Sequence, residues 1–345
     1  MELLNRYQIK NLELKNRIVL PPMDMYSSDD QGYVHNTHLY HYVSRAIGGV
    51  GLIIVEATAI TPAGRITDNC LGIWSDEHVN GLKEIVDECH QYGAKVGIQI
   101  NHAGRKCTAT SLGTDKIYAP SPLAFNSSYR LPEELAKTEI QSIIKEFGAA
   151  AKRADQAGYD LLEIHGAHGY LISEFLSPLT NKRSDEYGGS LENRTRFLKE
   201  VLAEVKKNWT EEKPISLRVS AYDYLPEGMQ PEDMVKIINQ VKGDIDIVHV
   251  SSGGVAEAPI KAFPGYQVPL SEVIKKGCDM PTITVGLITE SIQVEEILKN
   301  KRADLVAIGR GLFRNPYWVN QVAYDNRIDD HEYPEFYQEA YKLRR

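Results

Sequence analysis

Cysteine is scarce in this chain of 345 residues, and the four present, Cys70, Cys89, Cys107 and Cys278, are far apart. No Cys-x-x-Cys pair exists to hold zinc or an iron–sulfur cluster. Four is an even number, so a secreted disulfide pair is conceivable, but the scatter fits a reduced, cytoplasmic protein better. There is no run of about eighteen apolar residues and no basic-then-apolar leader, so neither a membrane span nor a secretory signal is expected. Positive charge is also short. Lys and Arg number 39 against 47 Asp and Glu, a net charge of −8, which argues against general binding to nucleic acid or anionic membrane. Repeats, low-complexity segments and flexible linkers are missing as well. What remains is ordinary globular composition, 42% hydrophobic and 25% charged, with enough apolar surface for a full core.

Short β-branched runs alternate with amphipathic segments about eight times. Strands are predicted at 17–21, 51–57, 95–100, 161–165, 215–220, 247–251, 282–285 and 305–309. Several, such as Leu52-Ile53-Ile54-Val55, are almost continuously apolar, which suits parallel strands covered on both faces. Helices are predicted at 38–47, 76–92, 139–157, 192–207, 231–241, 268–276, 291–300 and 311–322, with Pro231 a favourable helix start. Eight such units with right-handed crossovers close most economically into a (β/α)8 barrel, the TIM-barrel fold, over residues 1–325. A doubly wound open sheet is the alternative, but no Gly-x-Gly-x-x-Gly follows the first strand. The long stretches 101–138 and 166–191 then overhang the C-terminal strand ends, where barrel enzymes keep their active sites. The tail, 326–345, is charged and aromatic; it either docks on a neighbouring subunit or is a solvated end.

The run Glu163-Ile164-His165-Gly166-Ala167-His168-Gly169-Tyr170 carries the most chemistry. It follows a short apolar strand, and Gly166 and Gly169 let the backbone turn, so that two imidazoles and a phenol converge. Two imidazoles can donate to one carbonyl oxygen while a phenol supplies a proton to a neighbouring carbon. A polar loop with internally satisfied histidines is the plainer reading. Other polar residues also fall at predicted strand ends: Pro22-Met23-Asp24-Met25-Tyr26, Glu56-Ala57-Thr58, Gln99, Asn101-His102, Arg218 and Ser251-Ser252. Gly286 and Gly309-Arg310-Gly311 end strands seven and eight, where free backbone N–H groups at a helix start, with Arg310, suit a phosphate.

These residues, with Arg65-Ile66-Thr67-Asp68, Gly72-Ile73-Trp74-Ser75-Asp76-Glu77, His102-Ala103-Gly104-Arg105-Lys106, Glu174-Phe175-Leu176-Ser177-Pro178-Leu179 and Phe263-Pro264-Gly265-Tyr266-Gln267-Val268, match a family. The chain resembles the old yellow enzymes, FMN-dependent ene-reductases, and is most similar to their short bacterial class. The resemblance implies a (β/α)8 barrel, bound FMN, and NADPH or NADH as co-substrate; the sequence does not choose between the two. It implies reduction of the C=C bond of an α,β-unsaturated carbonyl compound, and a homodimer or homotetramer. It places Pro21, Pro22, Met23, Asp24 and Ala57 along the flavin, and Gln99 and Arg218 at its pyrimidine edge. Gly286, Gly309 and Arg310 then take the phosphate. His165 and His168 take the substrate carbonyl, with Tyr26 a further substrate contact and Tyr170 the proton donor.

Two positions depart from the family's pattern. Asp24 stands where the short bacterial class usually has Cys and other members often have Thr. Ionised, it makes flavin reduction harder; protonated, it donates a hydrogen bond and makes reduction easier. Glu339 stands where relatives carry an arginine that reaches the partner subunit's site, with Arg344 or Arg345 as late substitutes. Gly166, where relatives have Ala, is expected to loosen the turn. A flavin-free barrel lyase or isomerase acting on a phosphorylated compound, and a flavoprotein that binds ligand without turnover, are the competing classes.

Overall fold

A computed structural model describes residues 1–111 and 116–342. Eight parallel strands close into a barrel: β1 (Ile18–Leu20), β2 (Leu52–Ala59), β3 (Lys95–Asn101), β4 (Leu161–Gly166), β5 (Ile215–Ser220), β6 (Ile247–Ser251), β7 (Thr282–Thr284) and β8 (Leu305–Ala307), with β8 pairing back to β1. Seven connecting helices cover it: α1 (Asn36–Ile47), α2 (His78–His90), α3 (Lys137–Gln156), α4 (Leu191–Lys206), α5 (Pro231–Val241), α6 (Val268–Cys278) and α7 (Ser291–Lys299). The TIM-barrel expectation holds.

Alternation along the strands decides what the barrel contains. Outward residues such as Ile53, Val55, Ile98, Leu162, Val219 and Val250 join the helices in one continuous apolar core. Inward residues at the strand starts, among them Leu52, Leu161, Ile247 and Leu305, make a second cluster. A hairpin of Tyr7–Ile9 and Leu12–Leu14, which the sequence pattern did not reveal, supplies Ile9, Leu12 and Leu14 to it. The N-terminal end is thereby plugged with apolar side chains. Two residues further along the same inward rows stand Glu163, Ser216 and His249, and beyond them His165, Arg218 and Ser251. The interior thus turns from apolar to polar toward the C-terminal end, where a barrel of this kind places its active site.

One predicted helix is corrected. The segment 311–322 is two pieces, Arg310–Arg314 and α8 (Trp318–Asp325). Pro316 has no N–H to continue the first, and it pushes Asn315 into an extended conformation (φ −132°, ψ 93°). The tail folds back on its own barrel: His331 Nε2 lies 3.0 Å from Asn320 Oδ1, Tyr333 stacks on Tyr341 at 4.2 Å, and Phe336 meets Tyr92 edge-on at 6.2 Å while staying 60% exposed. Glu339 pairs with Lys342 at the surface. Arg344 and Arg345 lie outside the described residues. No helix among the described residues is long and apolar enough to cross a membrane, and all four cysteines are buried free thiols.

Candidate active site

The turn after β4 uses one of the two glycines expected to make it. Gly166 is the last residue of β4, without a left-handed φ. The reversal is made by the expected Gly169 (φ +72°) together with His168 (φ +59°). A Cβ on Gly169 would stand 2.3 Å from the Gly254 carbonyl oxygen, so only glycine fits. The left-handed His168 is held from both sides. Its N–H donates to Ser220 Oγ (2.9 Å), and its carbonyl accepts from Lys106 Nζ (2.9 Å), which also reaches the Gly254 carbonyl (3.2 Å). Lys106 therefore ties the loops after β3, β4 and β6 together. The sequence marked it only as part of a family block.

The three expected catalytic side chains are brought together. The His165 and His168 rings lie 5.2 Å apart edge to face, and the His165 and Tyr170 rings 4.9 Å apart at 88°. Both imidazoles are pushed well below the ordinary histidine range, chiefly by burial and then by the positive charges of Arg218 and Lys106. At neutral pH each is uncharged, with one N–H to give. His165 Nδ1 accepts the Ala167 N–H (3.2 Å), which leaves its proton on Nε2. His168 Nε2 lies 2.7 Å from Ser251 Oγ, which accepts from Gln267 Nε2 (3.1 Å); in the tautomer where the hydroxyl donates to Nε2, His168 keeps its Nδ1–H to give. Tyr170 is 9% exposed, and its hydroxyl has no hydrogen-bond partner among the described residues. Burial raises its pKa well above 10, with Asp24 the next cause, so the phenol keeps its proton throughout the useful range. Lys106 Nζ lies 5.1 Å from its ring centre.

The first strand end supplies a second wall. A register irregularity in β2 between Val55 and Thr58 turns Ala57 toward the mouth, where it packs with Ile66, Cys70 and Tyr170. The Ala57 N–H donates to Asp24 Oδ1 (3.2 Å). Asp24 is half-buried, and desolvation raises its carboxyl to about 6 against the pull of the Ala57 N–H, Arg218 and Tyr26. Tyr26, at φ +50°, is 45% exposed at the rim. Below it Glu56, fully buried, accepts the Met25 N–H (3.0 Å) and the Tyr42 hydroxyl (3.1 Å), and desolvation lifts it to about 8.

A cavity of about 360 Å³ opens beside this group, lined among others by Met23, His168, Arg218, Gly286, Gly309 and Arg310. Ser251, Ser252, Tyr266, Gln267 and Arg314 line it too, and the sequence singled out none of the last three as contacts. Pro21 and Pro22 are buried at its edge; Pro22 accepts a long bond from Arg218 Nη1 (3.4 Å). Arg218 Nε is buried and otherwise unpartnered. Gln99 is buried one layer below the mouth.

With the geometry in hand, kinship decides what fills it. Residues 2–329 match the NADH:flavin oxidoreductase / NADH oxidase family. The chain belongs to that family. Its relatives include the NADPH dehydrogenase of Clostridium acetobutylicum, 59% identical over 342 residues, 99% of this chain and all of that protein. The NADPH dehydrogenase of Bacillus subtilis is 49% identical over 317 residues, 91% of this chain and 92% of its own. Among solved structures, morphinone reductase superposes with a TM-score of 0.82 at 26% identity, covering 92% of this chain and 88% of that one. The chain is thus an oxidoreductase of the old yellow enzyme family, and FMN is its cofactor.

The residues present fit FMN. The under-bonded Arg218 guanidinium lines the cavity and suits an electron-rich ring edge. Gly286 (φ +133°) and Gly309 leave backbone open beside Arg310, whose guanidinium forms no hydrogen bond among the described residues. A Cβ at Gly286 would stand 3.1 Å from the Gln267 amide nitrogen, in a backbone conformation that costs a side chain about 1–3 kcal/mol. Gly286→Val is therefore expected to bind FMN at least about tenfold more weakly, since 1.4 kcal/mol is tenfold in binding. Titration of the flavin-stripped protein with FMN measures it; a wild-type dissociation constant would remove Gly286 from the cradle.

Proposed function

We propose that the protein reduces the C=C bond of α,β-unsaturated carbonyl compounds with NADPH. The observation that carries this reading is the convergence of two neutral, buried imidazoles and one protonated phenol, whose hydroxyl has no hydrogen-bond partner among the described residues, at the edge of the cavity that His168 lines. FMN, when bound, would supply hydride transfer from the nicotinamide to the β-carbon. His165 and His168 donate hydrogen bonds to the substrate oxygen and stabilise the enolate charge that develops there. Tyr170 gives its hydroxyl proton to the α-carbon and recovers one from solvent, so hydride and proton together saturate the bond. Arg218 and Gln99 hold the ring edge, Gly286, Gly309 and Arg310 the phosphate, and Pro21, Pro22, Met23, Asp24 and Ala57 the remaining face. Tyr26 closes over the substrate. The relatives' name, NADPH dehydrogenase, supports NADPH as the reductant.

The test is anaerobic turnover with cyclohexenone. One cyclohexanone formed per NADPH consumed supports the reading; NADPH consumed only when a quinone or oxygen is present contradicts it. That second result would favour a flavoprotein with another oxidant.

Asp24 makes the reading pH-dependent. Its carboxyl is neutral below about 6 and ionised above, and the ionised form opposes electron gain by the ring beside it. The flavin potential is expected to fall more steeply with pH just above 6 than below, and Asp24→Asn is expected to abolish that break. A dye-linked redox titration from pH 5 to 8 decides it. Stability follows the same sign: the contribution of a carboxyl with a raised folded-state pKa is complete below its ordinary value of 3.8 and is lost as pH rises through about 6.

A further inference from the structure

Beneath the cofactor cavity, the barrel interior holds a carboxylate that the mechanism above does not use. Glu163, on β4, is fully buried. Its Oε1 accepts from Gln99 Nε2 (2.8 Å), and its Oε2 accepts from Ser216 Oγ (2.9 Å) and lies 2.9 Å from His249 Nδ1. Three strands, β3, β5 and β6, thus aim donors at one carboxyl group. A carboxylate only accepts, and a buried one persists only where donors or a cation compensate it. The cation is Arg218, one inward step above Ser216 on β5 and in register with both His165 and His249. Glu163 is the largest favourable influence on the Arg218 charge. Despite complete burial, Glu163 stays below the ordinary carboxylate range, held there by His249 first and then by Arg218 and Ser216, while desolvation pushes the His249 imidazole below its ordinary range.

Two consequences follow for the residues above. Gln99 gives its NH₂ to Glu163, so its carbonyl oxygen is free for a donor at the ring edge. The Arg218 charge, which favours electron gain by a group in the cavity, is partly cancelled from below. We propose that Glu163 is a positioning residue of the cofactor site, anchoring the Gln99 amide and offsetting Arg218, and so sets both the affinity for FMN and the ease of its reduction. The inference rests on the placement of FMN against Gln99 and Arg218 given above.

Glu163→Gln tests the charge. The packing can absorb it: His249 Nε2 is buried without a partner and can take the ring proton, which lets Nδ1 accept from the new amide. Removing the negative charge is expected to shift the two-electron reduction equilibrium at least tenfold toward the reduced flavin, about +30 mV. Glu163→Asp tests the anchor. It keeps the charge but withdraws it from Gln99, so the FMN dissociation constant is expected to rise at least tenfold while the potential moves less than in Glu163→Gln. A wild-type potential in FMN-loaded Glu163→Gln overturns the proposal, as does an equal shift in Glu163→Asp, which would report repacking rather than charge. Should Glu163→Gln hold no flavin, wild-type FMN affinity in Glu163→Asp overturns it instead. A wild-type protein whose reduced flavin ignores enones would sink the ene-reductase reading and leave this inference standing.

Discussion

Replacing His165 and His168 together by alanine is expected to lower kcat/KM for cyclohexenone by at least about 10³-fold, the loss of one such donor alone being worth about 10²–10³. The expectation rests on their charge state as much as on their position. Burial and the neighbouring Arg218 and Lys106 keep both rings neutral, so each offers a single N–H, and a substrate oxygen that gains negative charge is held by two fixed dipoles. Because both pKa values lie well below the usual histidine range, enone reduction by Asp24→Asn, which removes the carboxyl titrating near 6, should show no histidine limb near pH 6.5. Stopped-flow mixing of reduced enzyme with enone measures the effect, with flavin content and melting temperature as controls. A loss below tenfold in a variant that retains flavin would mean that the oxygen is held elsewhere. Single variants are informative too: Ser251→Ala removes the Nε2 partner of His168 and frees its tautomer, with a smaller loss expected.

Tyr170→Phe is expected to slow enone turnover by about 10²–10⁴-fold, the usual worth of a positioned general acid. Its hydroxyl has no hydrogen-bond partner among the described residues, so the substrate α-carbon is its natural acceptor. Quinone reduction should survive the substitution, because a quinone takes its protons on oxygen, directly from water. This contrast separates a lost proton donor from a disturbed pocket, which would slow both oxidants. Equal slowing of enone and quinone would assign Tyr170 to packing. Equal retention would assign the α-proton to solvent or to Lys106. Since burial pushes the phenol above its ordinary value, the wild-type profile should show no limb from tyrosine ionisation up to pH 9.

Much of this architecture was legible in the sequence because its signals are local. The strand runs, such as Leu52 to Val55, are apolar and β-branched, and each is found within two residues of its predicted place. The His-x-x-His-x-Tyr spacing could be read as a convergent site because one turn contains all three residues. What failed was non-local or backbone-borne. The N-terminal hairpin is too short to show alternation, and its job, plugging the barrel with Ile9, Leu12 and Leu14, exists only once the barrel closes. Of the two glycines expected to make the turn after β4, Gly169 does and Gly166 does not; His168 takes the other left-handed position, which the sequence could not show because its supports, Lys106 and Ser220, are 62 and 52 residues away. Glu163 had a signal that was passed over: it lies on the inward row of β4 between Leu161 and His165. A charged residue at such a place in a buried strand asks for partners on the neighbouring strands. Pro316 likewise announced the break in the last predicted helix.

The most direct measurement is the visible spectrum of the purified protein under anaerobic conditions, with NADPH and then cyclohexenone added. Flavin bands should be present, bleach with NADPH and return with the enone, one equivalent of enone restoring one equivalent of oxidised flavin. Bands that bleach and stay bleached until a quinone is supplied would contradict the assignment of His165, His168 and Tyr170 to carbonyl activation and α-carbon protonation.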